Sequence, residues 1–341
     1  MNVNIPAYLI FISCSAVLCC VLYILTLNRG NKLPLNRAAS LGGLTFLLGV
    51  LLGVLCAKFL YFLFRITYLV NTGVGAYFLS LKPEELSFVG GAAGVSLAVF
   101  LSARILGQKP TEALAAFAAP GALLAALFRF AEYFLGSLGT GDYLEEGLPF
   151  PFAVSEVWNP DFPEYYLAVF MLTGVLYLRV AYFAFRQRND RLCFPRTVFY
   201  LCLCQIICES MRAQSIRWLF VRYEQLLCYL IAEGILISYA VSGRKAGKRN
   251  WSAAALGLLV CALTVVEEFM LDGKITWGGW VLPPVLIYGF MAWTLLELAV
   301  AEHTARKRLS CPGRDLPSTR SGGRSPDEQD EGPDSREQSP V

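Results

Sequence analysis

"LLAALFRFAEYFLGSLGTGDYLEEG" (Leu123–Gly147) begins as an apolar run and then sets Arg129 and Glu132 inside it, three residues apart. A bilayer core takes about 20 apolar residues to cross, and the run at 112–135 is long enough to do so. Ionisable groups inside such a span are costly and mark functional sites by default. The stretch therefore decides the fold class, a membrane helix, and poses the question of what its two charges do.

The remainder of the chain repeats the pattern. Of its 341 residues, 56% are hydrophobic and 16% charged, where a soluble domain would carry roughly a quarter charged residues. The mean hydropathy is +0.51. These values exclude a soluble globular domain. Apolar runs predict nine spans, near 7–27, 41–64, 86–107, 112–135, 164–185, 197–212, 223–242, 251–270 and 281–301, the sixth being the shortest. Open strands cannot satisfy their backbone groups in lipid, so all are expected to be helical. The fold class is all-α, a polytopic membrane helix bundle. The first run has no charged segment before it and no small-residue cleavage site after it, so a retained span is expected rather than a cleaved signal peptide.

Eleven cysteines invite a metal or redox reading. Nearly all lie in apolar runs, "CLCQIIC" (202–208) contains no CxxC pair, and the only histidine is His303. They read as small hydrophobes. No metal, no cofactor and no nucleic-acid partner is expected.

The connecting loops alternate in charge. Those at 28–37, 186–196 and 243–249 are basic, whereas 136–163 has no Lys or Arg and carries Asp142, Glu145, Glu146, Glu156 and Asp161. The positive-inside rule then places the N-terminus outside, the C-terminus in the cytoplasm and the acidic loop outside. Loop 213–222, assigned outside, is the exception, with Arg217 and Arg222. The last 30 or so residues are rich in Ser, Pro, Gly, Asp and Arg and read as a disordered tail. "ARKRL" (305–309) reads as a stop signal at the membrane surface, with a lipid-headgroup contact as the alternative.

Polar groups recur inside the spans. Lys58 and Tyr61 share one face of the second helix, and Arg129 and Glu132 can pair along the fourth. Gln205, Glu209 and Arg212 form a stripe on the sixth, and the seventh opens with Arg222, Glu224 and Gln225 and later holds Glu233. Glu267 and Glu268 end the eighth, and Glu297 lies in the ninth. Each can be read as a snorkelling residue or a packing pair. One outward-facing polar cavity would explain Arg129, Glu132, Glu209 and Arg212 together. Gly90, Gly91 and Gly94 open the third span, either for close helix packing or so that bare amides can face an anionic headgroup.

"LSFVGGAAGVSLAVFLSARILGQ" followed by "APGALLAALFRFAEYFLG" resembles the central region of the prolipoprotein diacylglyceryl transferase family, with its Ser-Phe-His-Gly-Gly-x-x-Gly element and Arg-x-Gly-Asn-Phe-x-Asn-Gly-Glu signature. "AKFLYFLF", "PEYYLAVFMLTGVLYL", "IICESMRAQ" and "YEQLLCYLIAEGILI" resemble further family segments in the same order. The resemblance covers about 7–242. Departures are specific: the family's histidine falls on Val89, an asparagine on Glu132, a glutamate on Ser137 and an arginine on Gln205. Arg129, Glu209 and Arg212 match.

The resemblance implies a seven-span core at 1–242, two additional helices at 243–301 and a tail at 302–341. It also implies transfer of diacylglyceryl from phosphatidylglycerol, or another anionic lipid, to the lipobox cysteine of preprolipoproteins in a bacterial inner membrane. Arg129, Glu132 and Glu209 are the expected catalytic residues. Arg129 and Arg212 would meet the phosphate, since guanidinium forks suit phosphate oxygens. Glu132 or Glu209 would act as base or arginine-orienting group. Gln205, Tyr61, Lys58, Gly90, Gly91 and Gln225 are the other expected substrate-binding residues. The other readings are a relative that kept the fold and binds lipid or lipoprotein without catalysis, and an enzyme acting on another lipid-linked substrate.

Overall fold

The structure is a computed structural model that describes residues 3–30, 33–66, 70, 73–80, 82–145, 148–159, 162–188, 190–213, 215, 217–218, 221–245, 251–275, 280 and 282–310. Asp161, Glu146, the 246–250 loop and residues 311–341 lie outside them, as do the side chains of Ser137, Glu156 and Arg217.

Nine long helices and one short one make up the described bundle: α1 (Ile5–Gly30), α2 (Leu35–Phe64), the short α3 (Val74–Leu79), α4 (Phe88–Ile105), α5 (Pro110–Ala131), α6 (Val169–Arg186), α7 (Cys193–Ser210), α8 (Tyr223–Lys245), α9 (Trp251–Leu271) and α10 (Pro284–Ser310). Eight are long and apolar enough to cross a membrane by length and composition. The expected sixth span, α7, is not among them, because Arg196, Gln205 and Glu209 fall within its 18 residues. Local signals fix several boundaries. Pro110 opens α5 with Glu112 in its first turn, favourable at a helix N-terminus. Ser87 caps α4 by accepting from the Gly90 amide.

The glycine patch of α4 is a packing surface. A Cβ at Gly90 would stand 2.7 Å from the Cys56 carbonyl of α2, and one at Gly94 would stand 2.2 Å from that of Leu52. Only glycine permits that approach. The Gly90 amide is spent on Ser87 and the Gly91 amide on the Ser87 carbonyl, so neither is bare for a headgroup as one expectation had it.

Three corrections concern boundaries. The fifth span was expected from residue 164, but 162–167 is a strand and α6 starts at Val169. The acidic loop before it folds into a small antiparallel sheet, ordered β1 (Tyr143–Leu144), β3 (Phe162–Leu167), β2 (Ala153–Asn159), with Val154 opposite Tyr166. At the other terminus, α10 continues to Ser310, so residues 302–310 are helical where a tail was expected.

The two largest apolar cores among the described residues join most of the helices. One joins Tyr23 and Leu27 of α1, Leu41 of α2, Val99 of α4 and Phe117 of α5. The other joins Phe199 and Ile206 of α7, Tyr229 and Leu236 of α8, Val260 of α9, and Met291 and Leu298 of α10. Small alanines line the first core, which lets α1, α2, α4 and α5 approach closely. The end that carries the sheet is occupied instead by charged and amide groups.

Candidate active site

Arg129 lies in the last turn of α5 and is only 2% exposed. Its guanidinium donates through Nη1 to Glu132 Oε1 and through Nη2 to Gln205 Oε1 at 2.8 Å, and it lies 3.8 Å above the Phe88 ring. Glu224 Oε2 is 3.9 Å from Nη2. Aromatic, amide and carboxylate groups thus enclose one cation on several sides.

Glu132 starts a 3-10 segment, Glu132–Gly139. Gly136 takes φ +69°, open to glycine at little cost, and turns the chain back over the carboxylate. A Cβ at Gly139 would stand 2.9 Å from the Glu132 side chain. Gly141 then bridges to Arg212, and the Ala213 amide donates to the Thr140 carbonyl at 3.2 Å. This stitching brings the chain after α7 onto the chain after α5. As a result Arg212 Nη2 donates to Glu132 Oε2 at 2.6 Å and to the Leu138 carbonyl at 2.9 Å. The Glu132 carboxylate therefore sits between two guanidiniums, one oxygen on each.

The polar stripe of α7 closes the network. Gln205 accepts from Arg129 and from the Tyr177 hydroxyl at 2.7 Å, and its Nε2 donates to Glu209 Oε2 at 3.0 Å and Glu224 Oε2 at 3.1 Å. Arg212 Nη1 lies 3.8 Å from Glu209 Oε2. Glu224 in turn accepts from the Ser87 hydroxyl at 3.0 Å, the Phe88 amide at 2.8 Å and the Tyr223 hydroxyl at 3.2 Å. A carboxylate at the N-terminus of α4 suits the helix dipole. The four residues expected to share a cavity do meet, as a closely bonded cluster. The side chains of Glu132 and Arg212 keep 12% and 13% exposure, against 2% for Arg129, so access to the cluster is from their side. Burial and the neighbouring Arg129 push the Arg212 guanidinium down, but Glu132, Glu209 and Glu224 together outweigh them and hold it above its ordinary value.

The other expected residues are distributed differently. Lys58 is buried in a separate cell, donating to the Tyr77 carbonyl at 2.7 Å, Ser80 Oγ at 3.2 Å and Glu85 Oε2 at 3.4 Å. Tyr61 stacks on Tyr77 there, with centroids 6.1 Å apart. The cell braces the segment that leads to Ser87, whose amide donates to the Ala57 carbonyl. Gln225 points away from Arg129, to the Ile206 carbonyl at 3.0 Å, Ser210 Oγ at 2.7 Å and Glu268 Oε1 at 2.9 Å. Arg222, which spoiled the charge pattern of loop 213–222, is buried and donates through Nη1 to the carbonyls of Glu209 and Arg212 and to Ser215 Oγ. It is a structural cation rather than a surface one. Glu297 lies on an exposed face of α10.

Sequence reasoning left Glu224, Tyr177 and Phe88 out of the site. Glu224 carried a signal, an ionisable group at the start of a span, shared with the neighbouring Arg222 and Gln225. Phe88 and Tyr177 lie inside the family-like segments, but aromatics are ordinary in membrane helices and nothing in their spacing singled them out. Val89, at the position of the family's histidine, turns into the core formed by α7, α8, α9 and α10.

Two guanidiniums with a shared carboxylate can receive an anion such as a phosphate if the carboxylate yields. Glu132, Glu209 and Glu224 are the groups in the cluster able to take a proton. The sequence model of the prolipoprotein diacylglyceryl transferase family matches residues 1–256. No curated protein and no solved structure matches the chain significantly.

Proposed function

Because this chain belongs to the prolipoprotein diacylglyceryl transferase family, we propose that it transfers the diacylglyceryl group of phosphatidylglycerol to the lipobox cysteine of preprolipoproteins. It does so as a multi-pass protein of a bacterial inner membrane, with the sheet end outside and the basic loops at 28–37 and 186–196 in the cytoplasm. Residues 1–242 form the transferase core, α9 and α10 are an addition, and no cofactor takes part.

The reaction joins the cysteine sulfur to the glyceryl carbon and breaks that carbon's bond to the phosphate oxygen, releasing a glycerol phosphate. Two tasks follow. The thiol, with a free pKa of about 8.5, must lose its proton, and the leaving phosphate must be met by positive charge. Arg129 and Arg212 supply the charge. With Val89 unable to take a proton, Glu132 is the base, and Glu209 holds Arg212 from the other side. The observation that carries this assignment is the Glu132 carboxylate bridging Arg129 and Arg212. When Glu132 accepts the thiol proton its charge is cancelled and its hold on both guanidiniums weakens. The arginines are then released as the leaving phosphate gains charge, so proton transfer and leaving-group stabilisation are coupled through one side chain.

The test is complementation. The chain is expressed while a host's own transferase is depleted, and lipoprotein maturation is followed by mobility shift. Maturation is the expected result; its absence with the protein stably inserted would sink the proposal. The same carboxylate also favours a second reading, in which the protein binds anionic lipid without transfer, because Glu132 occupies the ground a phosphate would take. Phosphatidylglycerol binding by purified protein that supports no maturation would select it.

A further inference from the structure

The family match stops at residue 256, and the helical chain beyond it carries one carboxylate that reaches the site's framework. Glu268 lies in the last turn of α9, a helix with no basic residue in that turn. A carboxylate there faces the negative end of the helix dipole, an unfavourable place for it. It is nevertheless 4% exposed and heavily bonded. Oε1 accepts from Gln225 Nε2 at 2.9 Å and from the Ser210 hydroxyl, and Oε2 lies 3.5 Å from Arg222 Nε.

The partners of Glu268 converge on the end of α7. The last carbonyls of a helix have no partner within it. Here Arg222 Nη1 takes the Glu209 carbonyl at 2.5 Å and also the Arg212 carbonyl. The residues whose side chains face Arg129 and Glu132 thus have their backbones fixed by Arg222, and Arg222 has its charge met by Glu268. Helix α10 adds to the grip, with Tyr288 donating to the Ser210 carbonyl at 3.3 Å.

We infer that Glu268 is a positioning residue of the site: the added C-terminal helices fix the end of α7, through Arg222, in the geometry that presents Glu209 and Arg212. A buried guanidinium that loses its carboxylate has strong reason to move, since an unpaired buried charge is costly. The kinetic arm of the test rests on the proposed transferase activity, whereas the structural arm does not.

The experiment uses the full chain in nanodiscs, as wild type, Glu268→Gln, Glu268→Asp and, as a neighbouring control, Glu267→Gln. Hydrogen–deuterium exchange is read over 206–213 and over α9 and α10. Glu268→Gln should raise exchange at 209–213 selectively, with α9 and α10 as protected as in wild type. It should lower kcat for phosphatidylglycerol by roughly tenfold to a hundredfold, the scale of a misplaced catalytic constellation, with KM nearly unchanged. Glu268→Asp should restore much of both, and Glu267→Gln should alter neither. Unchanged exchange at 209–213, melting of the whole α9–α10 pair, or selective loosening with kcat intact would each overturn the inference. An inactive wild type counts against the transferase reading alone, and the exchange pattern still decides whether Glu268 anchors α7.

Discussion

Buried polar clusters occupy two ends of this bundle, and they differ in how their charges are shared. At the end opposite the sheet, Arg306 Nη1 meets Asp190 at 3.0 Å, its Nε lies 3.6 Å from Glu302, and the Tyr200 hydroxyl reaches Glu302 at 3.3 Å. There the chain after α6 and helix α7 are tied to the end of α10. At the sheet end Glu132 is divided between two guanidiniums, and Gln205 is divided among Arg129, Tyr177, Glu209 and Glu224. A cluster built around the single cation Arg306 serves as a staple. A cluster in which two guanidiniums share one carboxylate can be rearranged by an incoming anion or proton, because Arg129 keeps Gln205 and Glu224, and Arg212 keeps Glu209 and the Leu138 carbonyl, when Glu132 shifts. The second kind suits a reaction that moves both.

Breaking the sheet-end cluster should have the largest effect. Arg129→Ala removes the cation that two carboxylates and an amide face, and leaving a buried ion pair half-made costs about 3–5 kcal/mol. Transfer should be abolished in complementation, while immunoblotting of membranes checks that the protein still inserts. Arg129→Lys keeps the charge and loses the fork, and it should also fail at phosphate recognition. Full maturation by either variant would place the site elsewhere.

Glu132→Gln sharpens the comparison. If the carboxylate holds the ground of a phosphate, removing its charge should tighten phosphatidylglycerol binding by about tenfold, equivalent to about 1.4 kcal/mol. If Glu132 is also the base, turnover should fall at the same time. Binding measured on purified protein and maturation measured in cells separate the two effects. Weaker binding would show that Glu132 orders the arginines rather than competing for them.

The spacing of Arg129 and Glu132 made their pairing legible, as did the four-residue and three-residue steps from Gln205 to Glu209 to Arg212, because a helix puts such neighbours on one face. Which helices would meet was not legible. Arg212 reaches Glu132 only because a positive-φ glycine and an isolated bridge fold 136–141 back onto the end of α7, an event with no periodic signal. Lys58 was expected to bind substrate as another charge inside a span, yet a three-residue 3-10 turn, Pro83–Glu85, supplies Glu85 to its own cell. The sheet escaped for a related reason. β1 has two residues and β2 is irregular between Glu156 and Asn159, so alternation was too short to read. Eight of the nine long helices, by contrast, follow in order from apolar length alone, which survives any local irregularity.

The staple at the opposite end gives the intermediate case. Arg306→Ala leaves Glu302, fully buried, with only the Tyr200 hydroxyl among the bonds described above. The loss should be about 2 kcal/mol, the scale of a charged hydrogen bond, seen as a lower unfolding temperature in detergent with turnover unchanged. A drop in turnover would mean that the two clusters are coupled through α7, and the contrast between staple and exchangeable network would no longer hold.

Ser87→Ala should have the smallest effect and probes how redundancy works inside the network. The hydroxyl caps α4 through the Gly90 amide at 3.2 Å and donates to Glu224 at 3.0 Å. Loss of a serine cap costs about 1 kcal/mol. Glu224 keeps the Phe88 amide, the Tyr223 hydroxyl and Gln205, so its place beside Arg129 should hold. Turnover is therefore expected to stay within about threefold of wild type, well below the roughly hundredfold cost that misplacing a reacting group can carry. A loss approaching that of Arg129→Ala would mean that the donors around Glu224 act as one unit, each needed to keep the others aligned. The cluster would then be a rigid scaffold, and the exchange of partners on which Glu132 acts as base would have no room to occur.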